Sequence, residues 1–368
     1  MIPASLPIQR PPDARLLVIG EHGDLSHVAR AAFPALLRAG DVVVANDAAT
    51  LPASLTGVHV PTGAPIELRL AGRDSLAPDR VTRFAAIVFG AGDYRTPTEG
   101  RPLPPALHAG DVLRLGPLRA VVARVAGHPR LIEVCFEHPA GEIWEGLARH
   151  ARPIQYAYMP EPLAIWDTWT PIAGLPVAFE VPSAAFMLDW RTIQSLRGRG
   201  ASFATITHAA GLSSTGDAGL DRLLPFDEPY YIPASAATLI NAAPGEGGRV
   251  IAIGTTVVRA LEHAGREGGG VRSGEGIATQ RIGAHTTLRV ADAIVSGMHE
   301  RGTSHYELLR AFQDDRALAR MDLEAEAHRY RAHEFGDSVF LLRATSDRAG
   351  SGARRRHRTG CSRCRNTP

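Results

Sequence analysis

Residues 57–150 contain only short, partly alternating β-type runs, whereas the chain on either side alternates strand-like with helix-like segments. The runs Ile66–Leu70, Val112–Leu115, Leu118–Val125 and Leu131–Phe136 follow one another with Gly, Pro and Asp between them, and helical periodicity is absent. That texture predicts a small β-barrel or sandwich. Before it, Arg15–Gly20 reads as a strand, and Ser26–Arg38 has apolar residues at helical spacing, disturbed by Pro34. Val42–Ala45 is a short continuous apolar run, as in strands buried on both faces.

After Arg152-Pro153 the sequence predicts a strand at Ala201–Thr207, a helix at Ala234–Ala243, a buried strand at Arg249–Ile253 and a helix at Thr255–His263. It also predicts a helix at Ser304–Phe312, opened by the capping box Ser304-x-x-Glu307. Strands alternating with helices imply a mainly parallel sheet with helices on both faces. The expected fold is therefore α/β. Residues 1–56 and 151–342 form the sheet domain, 57–150 form an inserted small β-barrel domain, and 343–368 form a basic, disordered tail. Gly265–Gly276 is expected to be a flexible surface loop.

The charge pattern narrows the function. The sequence has no Lys, so all 40 basic residues are Arg. That excludes Schiff-base lysine chemistry and a P-loop. Of the net +2, the last 26 residues carry +7 (eight Arg, one Asp), which leaves −5 for the body. A nucleic acid partner must then be met by a local Arg-lined face. Cys135 stands alone, and Cys361 and Cys364 lie in the tail, so no disulfide framework exists and a cytoplasmic location is expected. His357, Cys361 and Cys364 supply three zinc ligands where a closed site needs four. No apolar run is long enough for a membrane span, and no signal pattern opens the chain.

Three groups of residues can carry chemistry. In Arg249–Glu262 a buried strand runs through Gly254 into a helix beginning with Thr255 and Thr256. Free N–H groups and the positive dipole end make such a turn a site for a carboxylate, phosphate or ribose oxygen. Spacing equally allows a Thr-capped turn with an Arg259–Glu262 surface pair. Asn46-Asp47 closes the strand begun at Gly40-Asp41; Asp47 suits a base or a ribose ligand, and an Asx-turn is the alternative. His208, Glu228, His299 and Asp337 stand at predicted element ends, each a catalyst or a satisfied structural residue. None has paired metal-ligand spacing, so no metal is expected. Trp166, Trp169 and Trp190 can stack on a base or sulfonium, with core packing the commoner fate.

Together these segments resemble the S-adenosylmethionine:tRNA ribosyltransferase-isomerases of queuosine biosynthesis. Gly40–Leu55 is similar to the family's GD-(apolar)-ND-x-x-x-x-P-A-x-L stretch, and Val250–Glu262 to its V-I-A-x-G-T-T-x-x-R-x-L-E stretch. Thr205–His208, Asp292–His299 and Tyr330–Asp337 look like further family segments, in order, over roughly residues 15–342. The resemblance implies transfer and isomerisation of the ribosyl moiety of S-adenosylmethionine onto 7-aminomethyl-7-deazaguanine in tRNA. The products are epoxyqueuosine, adenine and methionine. It implies tRNA and S-adenosylmethionine as partners, the latter as substrate, with no separate cofactor.

Such chemistry needs a base for the C5′ proton beside the sulfonium, an acid for departing adenine, and walls that hold the cation. Asp47, His208, Glu228, His299 and Asp337 are the catalytic candidates. Asn46, Gly254, Thr255, Thr256 and Arg259 are the substrate-binding ones. The sequence departs from the family where Ala48-Ala49 replaces T-R, where Met187 replaces a His, and in Leu223–Glu228, which keeps only the Glu of H-x-M-H-x-E. The departures leave two alternatives: an enzyme acting on a non-tRNA acceptor, or a non-catalytic nucleotide- or tRNA-binding protein.

Overall fold

A computed structural model describes residues 1–345. The tail from 346 on, with His357, Cys361 and Cys364, lies outside the described residues. The larger part is built on a nine-stranded sheet. Its order is Gly274–Ala278, Glu228–Ile232, Ser202–His208, Val42–Asn46, Val250–Ile253, Ala293–Gly297, Ser338–Leu342, Arg15–Ile19, Leu25–Ala29. The four strands from Ser202–His208 to Ala293–Gly297 are mutually parallel. Antiparallel pairings flank this parallel centre on both sides.

The apolar runs are continuous because successive side chains serve two different cores. Val42, Val44, Val250 and Ala252 face one side and pack with Ile240, Val257, Val258 and Leu261 from helices Ala234–Ala242 and Thr255–Ala264. Val43, Ala45, Ile251 and Ile253 face the other, against Phe33 and Leu196. The strands start in register through Asp41, a fully buried carboxylate. It accepts bonds from the Arg249 backbone N–H at 2.9 Å, from that guanidinium at 2.6 Å, and from the Arg38 N–H at 3.0 Å. Burial pushes the Asp41 pKa up, and these donors outweigh it and leave it below the ordinary value.

The smaller part is a closed antiparallel barrel of six strands: Leu118–His128, Leu131–Phe136, Arg83–Phe89, Ala64–Gly72, Ser54–His59 and Val112–Leu115. The first barrel strand begins at Ser54, and the chain leaves at Arg152, directly beside it. Each of these two residues donates its N–H to the other's carbonyl at 2.9 Å. Phe179, Leu212 and Leu220 come from the later α/β segment and yet pack in the barrel core.

Several elements differ from the sequence-based expectation. Ala140–His150 is a helix within the region read as purely β; Ile143 and Leu147, one turn apart, bury against the barrel. Ser26–Arg38 is not a helix. Leu25–Ala29 pairs back on Arg15–Ile19 as a hairpin, and Arg30–Leu36 forms a short 3-10 segment containing Pro34, which has no N–H to continue a helix. The helix expected at Ser304 runs over Ser304–Leu309 and is capped by Thr303, whose hydroxyl accepts from the Tyr306 N–H at 3.2 Å. Glu307 pairs instead with Arg310 at 2.7 Å, so the capping box does not form. The end of the Gly-rich stretch, Gly274–Ala278, is an edge strand of the main sheet.

Candidate active site

The parallel strands end on one edge of the sheet, where polar residues can gather without breaking the apolar interior. A cavity of about 550 Å³ opens there. Its wall takes Ile253–Thr256 and Arg259 from one strand-helix turn, Ser296, Gly297 and His299 from the next strand end, and Ala210–Ser213 beyond His208. Glu180–Ala184, Asp221, Arg222, Glu228, Arg281 and the start of helix Ser304–Leu309 close it.

Gly254 makes the sharpest turn. Its φ of 98° and ψ of 156° lie in a region open to Gly alone, and an added Cβ would come 3.4 Å from Ala184 Cβ. Gly254 itself occupies the N-cap position, with no side-chain cap on the helix, so the expected Thr cap is absent. Thr255 and Thr256 thus present the first helical turn to the cavity.

Arg259 also lines the cavity, but its guanidinium is held by the protein. It forms a buried ion pair with Glu228 and donates to the carbonyls of Phe226 at 3.1 Å and Ala278 at 3.0 Å. Glu228 additionally accepts from the Gly211 N–H at 2.6 Å. Burial raises the Glu228 pKa, with Arg259 and Gly211 opposing the rise. The expected Arg259–Glu262 surface pair does not exist. Glu262 is buried and accepts the backbone N–H groups of Arg289, Val290 and Ala291 at 2.8, 3.0 and 2.9 Å.

The remaining residues singled out by the sequence separate. His299 lines the cavity, its Nε2 2.9 Å from Ser296 Oγ and its ring 4.6 Å from that of His305. Burial, then His305 and His333, drives its pKa well down. His208 lies behind the wall, fully buried, with Nε2 3.4 Å from Glu228 Oε2 and neither ring nitrogen hydrogen-bonded. Burial and Arg259 keep it neutral. Asn46 is also buried behind the cavity, where its amide bonds both backbone polar groups of His208. Asp47 accepts from Thr207 Oγ1 at 2.7 Å and does not line the cavity. Asp337 lies elsewhere. It accepts the N–H groups of Arg15 and Arg331 at 2.8 and 2.9 Å and both guanidiniums, so it clamps strand Arg15–Ile19 to the turn before Ser338–Leu342. A catalytic carboxylate needs access to substrate, and Asp337 has none through this cavity.

Two cavity residues carried no separate signal in the sequence. Glu180 follows Phe179 in an apolar stretch; burial pushes its pKa up to about 7. His305 sits in the first turn after Thr303, and burial and Arg259 push it down to about 4. Met187, at the position of a family His, is buried in the sheet's second core. The tryptophans are not core: Trp166 is 71% and Trp190 66% exposed, and neither lines the cavity. Among the described residues, His27, Glu324 and His328 bring potential metal-ligating atoms within 4.8 Å of one another. They lie on an edge strand and the end of a peripheral helix, and none lines the cavity.

Comparison with known proteins matches residues 2–341 to the family described as queuosine biosynthesis protein. An S-adenosylmethionine:tRNA ribosyltransferase-isomerase from Thermus thermophilus is 30% identical over 337 residues, 89% of this chain and 92% of that protein. One from Desulforamulus reducens is 27% identical over 354 residues, 92% of this chain and 96% of that one. A crystal structure of an S-adenosylmethionine tRNA ribosyltransferase from Thermotoga maritima is 20% identical with a TM-score of 0.48, covering 93% of this chain and 95% of its own. With the match running through both the sheet and the barrel, this chain belongs to the queuosine biosynthesis protein family.

Proposed function

We propose that this protein is an S-adenosylmethionine-dependent tRNA ribosyltransferase-isomerase. It transfers and isomerises the ribosyl moiety onto 7-aminomethyl-7-deazaguanine in tRNA to give epoxyqueuosine, with release of adenine and methionine. The observation that carries the reading is the cavity at the strand ends, built around the Gly254-Thr255-Thr256 turn, in a chain of this family. The uncapped helix start supplies N–H groups and hydroxyls for the carboxylate or ribose of S-adenosylmethionine. His299 and His305, held neutral by burial on the cavity wall, are the imidazoles placed to exchange a proton with a bound substrate. S-adenosylmethionine is the substrate, and no further cofactor enters the scheme. Among the described residues no helix is long and apolar enough to cross a membrane, and we place the reaction in the cytoplasm with tRNA.

The test is expression in a strain lacking its own ribosyltransferase-isomerase, followed by mass spectrometry of digested tRNA. Epoxyqueuosine or queuosine is the expected result; folded protein without either nucleoside refutes the reading.

One observation favours a second reading, a non-tRNA acceptor: Ala48-Ala49 stand where the family motif has T-R, in a body of net charge −5. Salt-sensitive binding of tRNA at low and moderate salt would exclude it.

A further inference from the structure

Glu180 stands on the wall of the cavity that also holds Thr255, Thr256 and His299. One carboxylate oxygen accepts the Tyr156 hydroxyl, and the other accepts the Ser213 N–H at 3.0 Å. Both donors are neutral, and each oxygen keeps lone-pair capacity for the cavity. No Arg or His among the described residues forms an ion pair with Glu180. Of the other wall carboxylates, Glu228 is held by Arg259 and Glu307 by Arg310. Asp221, like Glu180, meets only neutral donors: its Oδ1 accepts the Thr215 N–H and hydroxyl, both at 2.7 Å. The wall has no Phe, Tyr or Trp among the described residues, so a bound cation cannot be held by an aromatic face.

We propose that Glu180 is the cation seat of this cavity, its carboxylate facing the positive centre of the ligand. On the reading given above, on which this inference rests, that centre is the sulfonium of S-adenosylmethionine. Without a cation the carboxylate is half-buried and undercompensated, which agrees with its raised pKa; a sulfonium supplies the missing charge and displaces the proton. The charged and titratable groups around Glu180 are few. Tyr156 approaches from the 153–159 segment, the Glu334 carboxylate from the C-terminal segment repels Glu180 directly while accepting the Tyr158 hydroxyl, and the Arg69 guanidinium lies 5.7 Å above the Tyr156 ring from the barrel. Across the cavity stand Asp221, Arg222, Glu228 with Arg259, Arg281, His299, His305 and Glu307. None of these is a cation bonded to Glu180.

The experiment measures binding, so it stands apart from turnover. Affinities for S-adenosylmethionine and for uncharged-sulfur S-adenosylhomocysteine are compared by titration calorimetry for wild type and Glu180→Gln. The ratio of the two proteins' affinities cancels titration of the ligands' own amines. For S-adenosylmethionine the expected ratio is about tenfold or more at about pH 8.5 and near unity at about pH 5.5. For S-adenosylhomocysteine it stays within about threefold at both. Tyr156→Phe, which removes a donor from the carboxylate, is expected to move the onset of tight S-adenosylmethionine binding to higher pH. Both nucleosides binding with an unchanged or equal loss in Glu180→Gln overturns the seat alone. Failure of S-adenosylmethionine to bind wild type overturns the ligand reading and the seat with it. Glu180→Gln is nearly isosteric, and a melting temperature within a few degrees of wild type confirms that it folds.

Discussion

Asn46 closes both backbone polar groups of His208 with one side chain: Nδ2 donates to the His208 carbonyl at 3.0 Å, and the His208 N–H donates to Oδ1 at 2.9 Å. A terminal amide thus continues the pairing of two parallel strands past the point where their ladder ends. Asn46→Ala leaves the His208 N–H buried and unmatched, while the carbonyl keeps the Ala210 N–H at 2.9 Å. The expected loss is about 1–3 kcal/mol, read as a lower denaturant midpoint. A variant as stable as wild type would remove Asn46 from the scaffold and return it to ligand binding.

The Glu228–Arg259 pair is the second test of scaffold against ligand. Removing Arg259 strands a buried carboxylate, so Arg259→Met is expected to cost about 3–5 kcal/mol. Adding Glu228→Gln should recover part of that loss, giving a clear coupling energy in a double-mutant cycle. Additive losses would contradict the ion pair.

Thr255→Val with Thr256→Val should act on ligand and not on fold. Gly254 occupies the N-cap position, so neither hydroxyl is the helix N-cap. The expected loss is at least about tenfold in S-adenosylmethionine affinity, with a melting temperature lower by only a few degrees. Unchanged affinity would leave the helix start a plain turn.

Gly254→Ala places a Cβ at a backbone geometry reserved for glycine and against Ala184. A loss of at least about 1–3 kcal/mol is expected, together with weakened ligand binding, because a residue with a side chain is strained at φ 98° and ψ 156° and the turn that shapes the cavity must shift to relieve it. Full stability in thermal melts would show that the turn tolerates a side chain.

Two carboxylates give opposite pH signatures. Asp41 has a folded pKa below its unfolded one, so its contribution is present above the unfolded value and disappears as pH falls through the folded one. Asp41→Asn should therefore destabilise at neutral pH and matter little in acid. The Glu180 pKa is raised to about 7, so its contribution is complete below the unfolded value and is lost as pH rises through the folded one. Glu180→Gln is accordingly expected to raise the ligand-free melting temperature by about 2–6 °C at about pH 8 and hardly at all at about pH 4.5. Melts across this range check both signs.

The strands and the cavity's location were legible because their determinants are local. Val42–Ala45 and Val250–Ile253 are apolar at every position, and the glycine that turns the chain sits next to its helix. Partnerships over long sequence separation were not legible. Gly336-Asp337 reads the same whether Asp337 meets a substrate or clamps Arg15, which is 322 residues away. Arg259 has a plausible local partner in Glu262, yet each spends its charge elsewhere, on Glu228 and on the 289–291 amides. Glu180 stayed hidden because a lone carboxylate among apolar neighbours has no periodicity to mark it. The helix Ala140–His150 was missed although Ile143, Gly146 and Leu147 carry its spacing, because the strands before it set the expectation.

The paired exchange between Ser54 and Arg152 brings the ends of the inserted barrel to one point, so a host sheet can accept such an insert without reshaping itself. Yet Phe179, Leu212 and Leu220 seal the barrel from the host side, and cutting the insert out would leave three large apolar side chains facing water. The barrel was easy to insert and is costly to remove. Sheet and barrel should consequently melt together, as one cooperative body, despite their separate topologies.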